Sequence, residues 1–84
     1  MEITKQITEA ISDCRGALGL PHAFAYLPEI LETLEAMRIA WEQNDGAKCR
    51  KLASGLGRLI TEDISFMESP LGGKLSDIVK AMYS

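Results

Sequence analysis

The sequence predicts an all-α protein, a small antiparallel four-helix bundle in one domain. Three observations predict it. Apolar residues recur at steps of three and four along four segments, which places each set on one side of a 3.6-residue helix. Three stop signals separate the segments: Gly19 with Pro21, Asn44-Asp45-Gly46, and Ser69-Pro70. No window of useful length alternates apolar and polar residues, as a half-buried strand would. With 84 residues, 46% of them hydrophobic, the chain is too apolar for a disordered tail and too short for a large core.

The first helix is expected over 3–18. Its stripe holds Ile3, Ile7, Ile11, Cys14 and Leu18. Gly19, just past its end, and Pro21 form the stop. The next segment, Leu20 to Pro28, holds two of the three prolines, the only histidine and two of the five aromatics. The apolar spacing Phe24, Leu27, Leu31, Leu34 continues across Pro28. The spacing therefore predicts one helix over 22–43, kinked at Pro28, with the Phe24 carbonyl deprived of its usual partner. Its stripe continues through Ile30, Met37 and Trp41.

Asn44-Asp45-Gly46 ends that helix and caps the next. A third helix is expected over 46–66, on Cys49, Leu52, Leu56, Leu59, Ile60 and, beyond them, Ile64 and Met67. Gly55 and Gly57 each cost a helix interior about 0.8–1 kcal/mol relative to alanine. Two glycines so close imply a break or a near approach by another backbone. Ser69 then caps a fourth helix over 70–82, with Pro70 at its first position. Its stripe is Leu71, Leu75, Ile78, Val79 and Met82, and Gly72 and Gly73 are expected to let its start fray.

Charge limits the classes of function. The formal net charge is −3, which disfavours non-specific nucleic-acid binding. No apolar run approaches the roughly 20 residues that a membrane span needs. Met1 to Asp13 carries Glu2, Lys5, Glu9 and Asp13 and lacks the apolar centre of a signal peptide, so a cytoplasmic location is expected. Cys14 and Cys49 both fall on apolar stripes and read as small buried hydrophobes. There is no Cys-x-x-Cys and no Cys/His cluster of metal-ligand spacing. No metal or cofactor is expected, and no catalytic chemistry is visible. His22 is the one general-base candidate of neutral pKa, and nothing in the pattern places a nucleophile beside it.

Two resemblances are confined to short runs. Leu52-Ala53-Ser54-Gly55-Leu56-Gly57 resembles the run that precedes the turn of a helix-turn-helix. The helix that would follow carries Thr61, Glu62, Asp63 and Glu68, which repel phosphate, and Leu59 stands where a small hydrophilic residue is usual. Ala40 to Ala53 resembles one hairpin of a tetratricopeptide array, but no second copy follows and a lone repeat cannot bury its faces.

The remaining signals are surface ones. Helix two carries Glu29, Glu32, Glu35 and Glu42; helix three carries Lys48, Lys51, Arg58 and Glu62 on one side, with Arg50 nearby. These are either ordinary solvated helix faces, with some weak pairs linking the two helices, or a charged docking face for another protein. Tyr26 and Tyr83 are the expected exposed aromatics, whereas Phe24, Trp41 and Phe66 are expected on or near the core. Candidate binding residues are His22, Tyr26, Glu29, Glu32, Gly55 and Arg58. The reading is a small cytoplasmic protein acting by protein–protein interaction, as an adaptor, regulator or immunity-type inhibitor. A homodimer is the natural way for so small a core to bury leftover apolar surface. The alternatives are a helix-turn-helix-like regulator and a small-molecule-binding or catalytic bundle.

Overall fold

A computed structural model of the chain describes residues 3–21 and 24–83. The elements are α1 (Ile3–Leu18), α2 (Leu27–Glu42), α3 (Gly46–Thr61), α4 (Ile64–Glu68) and α5 (Pro70–Met82), with no strand among the described residues. The four long helices form a closed ring in which each touches two neighbours, in the order α1, α2, α3, α5. Lys74, early in α5, meets Asp13, late in α1. Tyr83, just past α5, donates its hydroxyl to the carbonyl of Arg50, early in α3. Both contacts run α5 antiparallel to its neighbours. The result is the small all-α bundle expected from the stripes.

The core follows those stripes. Ile7, Ile11, Leu27, Ile30, Leu34, Met37, Leu56, Ile60, Leu75 and Ile78 are its large side chains, and Cys14 and Cys49 are buried among them. Four stripe residues leave it. Trp41 is 39% exposed, Ile64 66%, Met67 37% and Leu18 37%. Each lies at or beyond the end of a long helix.

Helix two is not kinked. It begins at Leu27, and Pro28 occupies its first turn, where the missing N–H costs nothing. Phe24 to Tyr26 precede it as a turn in which the Phe24 carbonyl accepts from Leu27 N–H at 3.0 Å. The expected orphan carbonyl is therefore satisfied. A helix extended upstream would need a Pro28 N–H for the Phe24 carbonyl and would press the proline ring against that carbonyl, which is the local reason for starting here.

At its other end α2 closes as the Asn-Asp-Gly signal requires. Asn44 adopts φ 59°, the left-handed conformation that asparagine tolerates. Asp45 N–H donates to the Ala40 carbonyl at 2.9 Å, and the Asp45 carboxylate accepts from Lys48 N–H at 3.1 Å, starting α3.

Helix three also differs from expectation. It runs unbroken through Gly55 and Gly57, and no backbone lies within 4 Å of where a Cβ would stand at either; Gly57 meets only a methyl of Val79. The break falls instead after Thr61. Asp63 takes extended backbone and its carboxylate accepts from the N–H groups of Ser65 and Phe66, which starts α4 as a separate helix. A carboxylate that satisfies two orphan donors defines a new N-terminus better than it continues an old helix.

The close backbone approach lies in α5. A Cβ on Gly72 would stand 2.1 Å from the Phe66 carbonyl oxygen and 2.8 Å from that of Met67. Gly72 is buried and lets the first turn of α5 seat on α4. The Ser69 hydroxyl accepts from Gly72 N–H at 3.1 Å. The start of α5 is thus capped and seated against α4, where fraying was expected.

Candidate docking surfaces

Two surfaces gather the features that the core leaves over. The first is the end of the bundle made by residues 17–21 and 24–27 and by α4. Phe24 and Phe66 stack there, ring centroids 4.3 Å apart and planes within 11°. Tyr26 meets Phe24 edge-on at 5.6 Å. The half-buried Phe24 and Phe66, with Leu20, Leu27 and Leu71, line an open cleft of about 370 Å³. Leu18, Leu20, Tyr26, Ile64 and Met67 are five of the eight exposed large hydrophobics among the described residues, and all five belong to the two segments that frame this cleft. The elements explain the exposure. Helix α4 is only five residues long. It can turn one face to the core, so Phe66 goes inward and Ile64 and Met67 are left outside.

The second surface is the outer face of the α2–α3 hairpin. On α2, Glu29, Glu32, Ala36 and Ile39, with the C-cap Gln43, follow steps of three and four and form one strip; on α3, Lys48, Lys51, Gly55 and Arg58, with the C-cap Glu62, repeat the same steps. Along the first half of α3 runs an open groove of about 660 Å³, lined by Thr33, Ala47, Lys48, Lys51, Leu52 and Gly55. The expected pairing of α2 acids with α3 bases within the molecule does not form. The ion pairs among the described residues are Arg15–Glu35 at 3.4 Å and Lys74–Asp13 at 2.6 Å. Glu35 turns towards Arg15 on α1, while Glu29 and Glu32 are exposed.

The candidate residues therefore separate. Tyr26, 38% exposed, belongs to the apolar end. Glu29, Glu32, Gly55 and Arg58 belong to the hairpin face. His22 lies outside the described residues. Tyr83 is exposed, as expected, at the opposite end from the cleft, the end where Trp41 also emerges. Sequence reasoning missed Leu20, Ile64 and Met67 as surface residues. The available signal was Asp63, a strong N-cap type directly before Ile64.

Chemistry at the thiols is quiet. Burial, aided by the neighbouring Asp13 charge, pushes the Cys14 thiol up to about 11. Burial and Asp45 also raise that of Cys49, against a smaller opposing effect of Arg50. Neither supplies a thiolate near neutral pH, so neither is poised as a nucleophile. Among the described residues no group of three or more His, Cys, Asp or Glu side chains is placed to hold a metal ion. No described helix is long and apolar enough to cross a membrane. The continuous helix through Gly57 and Arg58 also lacks the turn that a helix-turn-helix would place there. The chain matches no protein-family model, no curated protein and no solved structure.

Proposed function

We propose that this protein works by binding another protein, in an adaptor, regulatory or inhibitory role, and that the apolar end of the bundle receives the partner. One observation carries the reading: the five exposed hydrophobics Leu18, Leu20, Tyr26, Ile64 and Met67 around a cleft floored by stacked Phe24 and Phe66. Scattered exposed apolar residues are ordinary, but a contiguous group is a feature of interaction sites. Aromatic anchors in a half-formed pocket are the usual centre of a binding hot spot. The cleft is apolar and its one lining carboxylate, Asp63, is occupied in capping α4. Its natural occupant is an apolar side chain or two from a partner segment.

The test compares capture by the wild-type chain and by a Leu20→Ser, Ile64→Ser, Met67→Ser variant from extracts of the native host. All three side chains are exposed, so helicity by circular dichroism should be unchanged. The reading predicts a specific partner that the variant loses. A partner retained in full by the folded variant would contradict it.

A further inference from the structure

We infer that the partner segment received at the apolar end is a basic amphipathic helix, one that carries lysine or arginine beside its apolar anchors. This rests on the proposed function and deepens it, by naming the chemistry of the partner. The distribution of charge carries the argument. Between Arg15 and Arg38 the sequence holds no lysine or arginine, and between Arg58 and Lys74 it again holds none. Every residue that lines the cleft falls in one of these two stretches. They carry Glu29, Glu32, Glu35, Glu62, Asp63 and Glu68 instead. The bases that border the stretches do not neutralise this end. Arg15 is held by Glu35 at 3.4 Å and Lys74 by Asp13 at 2.6 Å. Arg58 alone is then left against the exposed Glu29, Glu32, Glu62 and Glu68. Glu62 and Glu68 stand at the two ends of α4, and Asp63 lines the cleft itself. Arg38, Lys48, Arg50 and Lys51 lie instead towards the α2–α3 turn, at the other end of the bundle. The net charge of −3 therefore understates how acidic the apolar end is.

An apolar cleft within an acidic rim selects its occupant by charge, since opposite potentials attract and like ones are costly. The same carboxylates repel an anionic lipid surface. A second copy docked by its own apolar end would set carboxylate against carboxylate. The form of the segment follows from the fold. The described residues hold no strand, so no sheet edge is offered to an extended segment. A segment lying on apolar surface must then satisfy its own backbone N–H and C=O groups, and a helix does so. Its apolar stripe meets Leu20, Phe24, Ile64 and Met67, and the bases beside that stripe meet the rim.

The experiment uses two synthetic helical peptides of equal length with the same leucine stripe, one with lysine and one with glutamate on the polar face. Binding to the full chain is read by fluorescence anisotropy and mapped by amide chemical shifts, with the helicity of each variant checked first. The lysine peptide should bind about tenfold or more tightly than the glutamate peptide, and should weaken as salt rises. It should shift the amides of residues 18–21, 24–27 and 64–71. Glu29→Gln, Glu62→Gln, Glu68→Gln, which keeps Asp63 as the cap of α4, should weaken it by about tenfold. Glu9→Gln, Glu42→Gln, Asp77→Asn makes the same change of charge outside both stretches, and should alter it by less than about threefold. Leu20→Ser, Ile64→Ser, Met67→Ser should abolish it. No binding of the lysine peptide, equal binding of the two peptides, or shifts confined to α2 and α3 would overturn the inference. So would a native partner that the apolar-end variant loses and the Glu29, Glu62, Glu68 variant retains in full; the proposed function would then stand without it. A mass above 9.2 kDa in sedimentation equilibrium of the wild-type chain, brought down by the apolar-end variant, would overturn it by making a second copy the occupant.

Discussion

The α2–α3 hairpin and the α4 corner are built in opposite ways. The hairpin consists of two 16-residue helices whose inner faces are plain periodic apolar stripes, joined by a turn that asparagine and aspartate specify locally. The corner is a five-residue helix held by capping carboxylate and hydroxyl groups, by stacked rings, and by one glycine that no other residue can replace. The hairpin buries most of its apolar residues and shows charge, with Ile39 and Trp41 left exposed. The corner is too short to bury all of its own, and shows Ile64 and Met67. Regular elements therefore make the scaffold, and the irregular one makes the apolar surface.

The two regions should answer differently to the same kind of change, and glycine gives the largest contrast. Gly72→Ala drives a methyl group into the Phe66 carbonyl and should destabilise the fold by about 3 kcal/mol, at the upper end of overpacking costs. Gly55→Ala meets open space in a helical conformation and should stabilise it by about 0.5–1 kcal/mol. Urea unfolding of the two variants checks the pair. Equal effects would erase the distinction between a glycine needed for contact and one that is not.

A smaller contrast concerns the caps. Asp63 accepts two backbone N–H bonds and Asp45 accepts one. Asp63→Ala should cost about 1–2 kcal/mol and Asp45→Ala about 1 kcal/mol or less. Beyond this, Asp63→Ala should loosen α4 in particular, visible as faster amide exchange at residues 65–67 with the α3 amides unchanged.

Last comes the thiol pair at the core. The folded Cys14 thiol is raised from 9.0 to about 11, so above pH 9 the unfolded chain releases a proton that the folded one keeps. Stability should therefore be level below pH 9 and fall between pH 9 and about 11 on account of this group. A thiol reagent at pH 7.5 should label neither cysteine until the chain unfolds. Prompt labelling of either would show that its stripe opens.

The same division decides what was legible in the sequence. In the hairpin, Ile30, Leu34, Met37, Cys49, Leu56 and Ile60 stand at helical spacing and are buried as that spacing predicts. The stop at Asn44-Asp45-Gly46 is written in local chemistry, and so it was readable. Near the corner, periodicity misled. The 3.6-residue spacing happens to continue from Ile60 to Ile64 and Met67, although Asp63 resets the helix between them. It continues likewise from Phe24 to Leu27, although Pro28 starts a helix rather than bending one. Apolar period records which residues share a face only while one helix lasts, and the capping residues decide how long that is. The reason for Gly72 was not readable at all, because its contact partners are carbonyls of another helix. Of the candidate site, Tyr26 and the charged strips were legible as types. That they divide between two surfaces follows from tertiary placement alone.

The claim that the apolar end receives a partner is tested most directly by hydrogen exchange on the captured complex, compared with the free chain. The account predicts new protection at residues 18–21, 24–27 and 64–71, with the outer face of α3 unchanged by the partner. Protection confined to α2 and α3, with residues 64–71 exchanging as in the free chain, would contradict it.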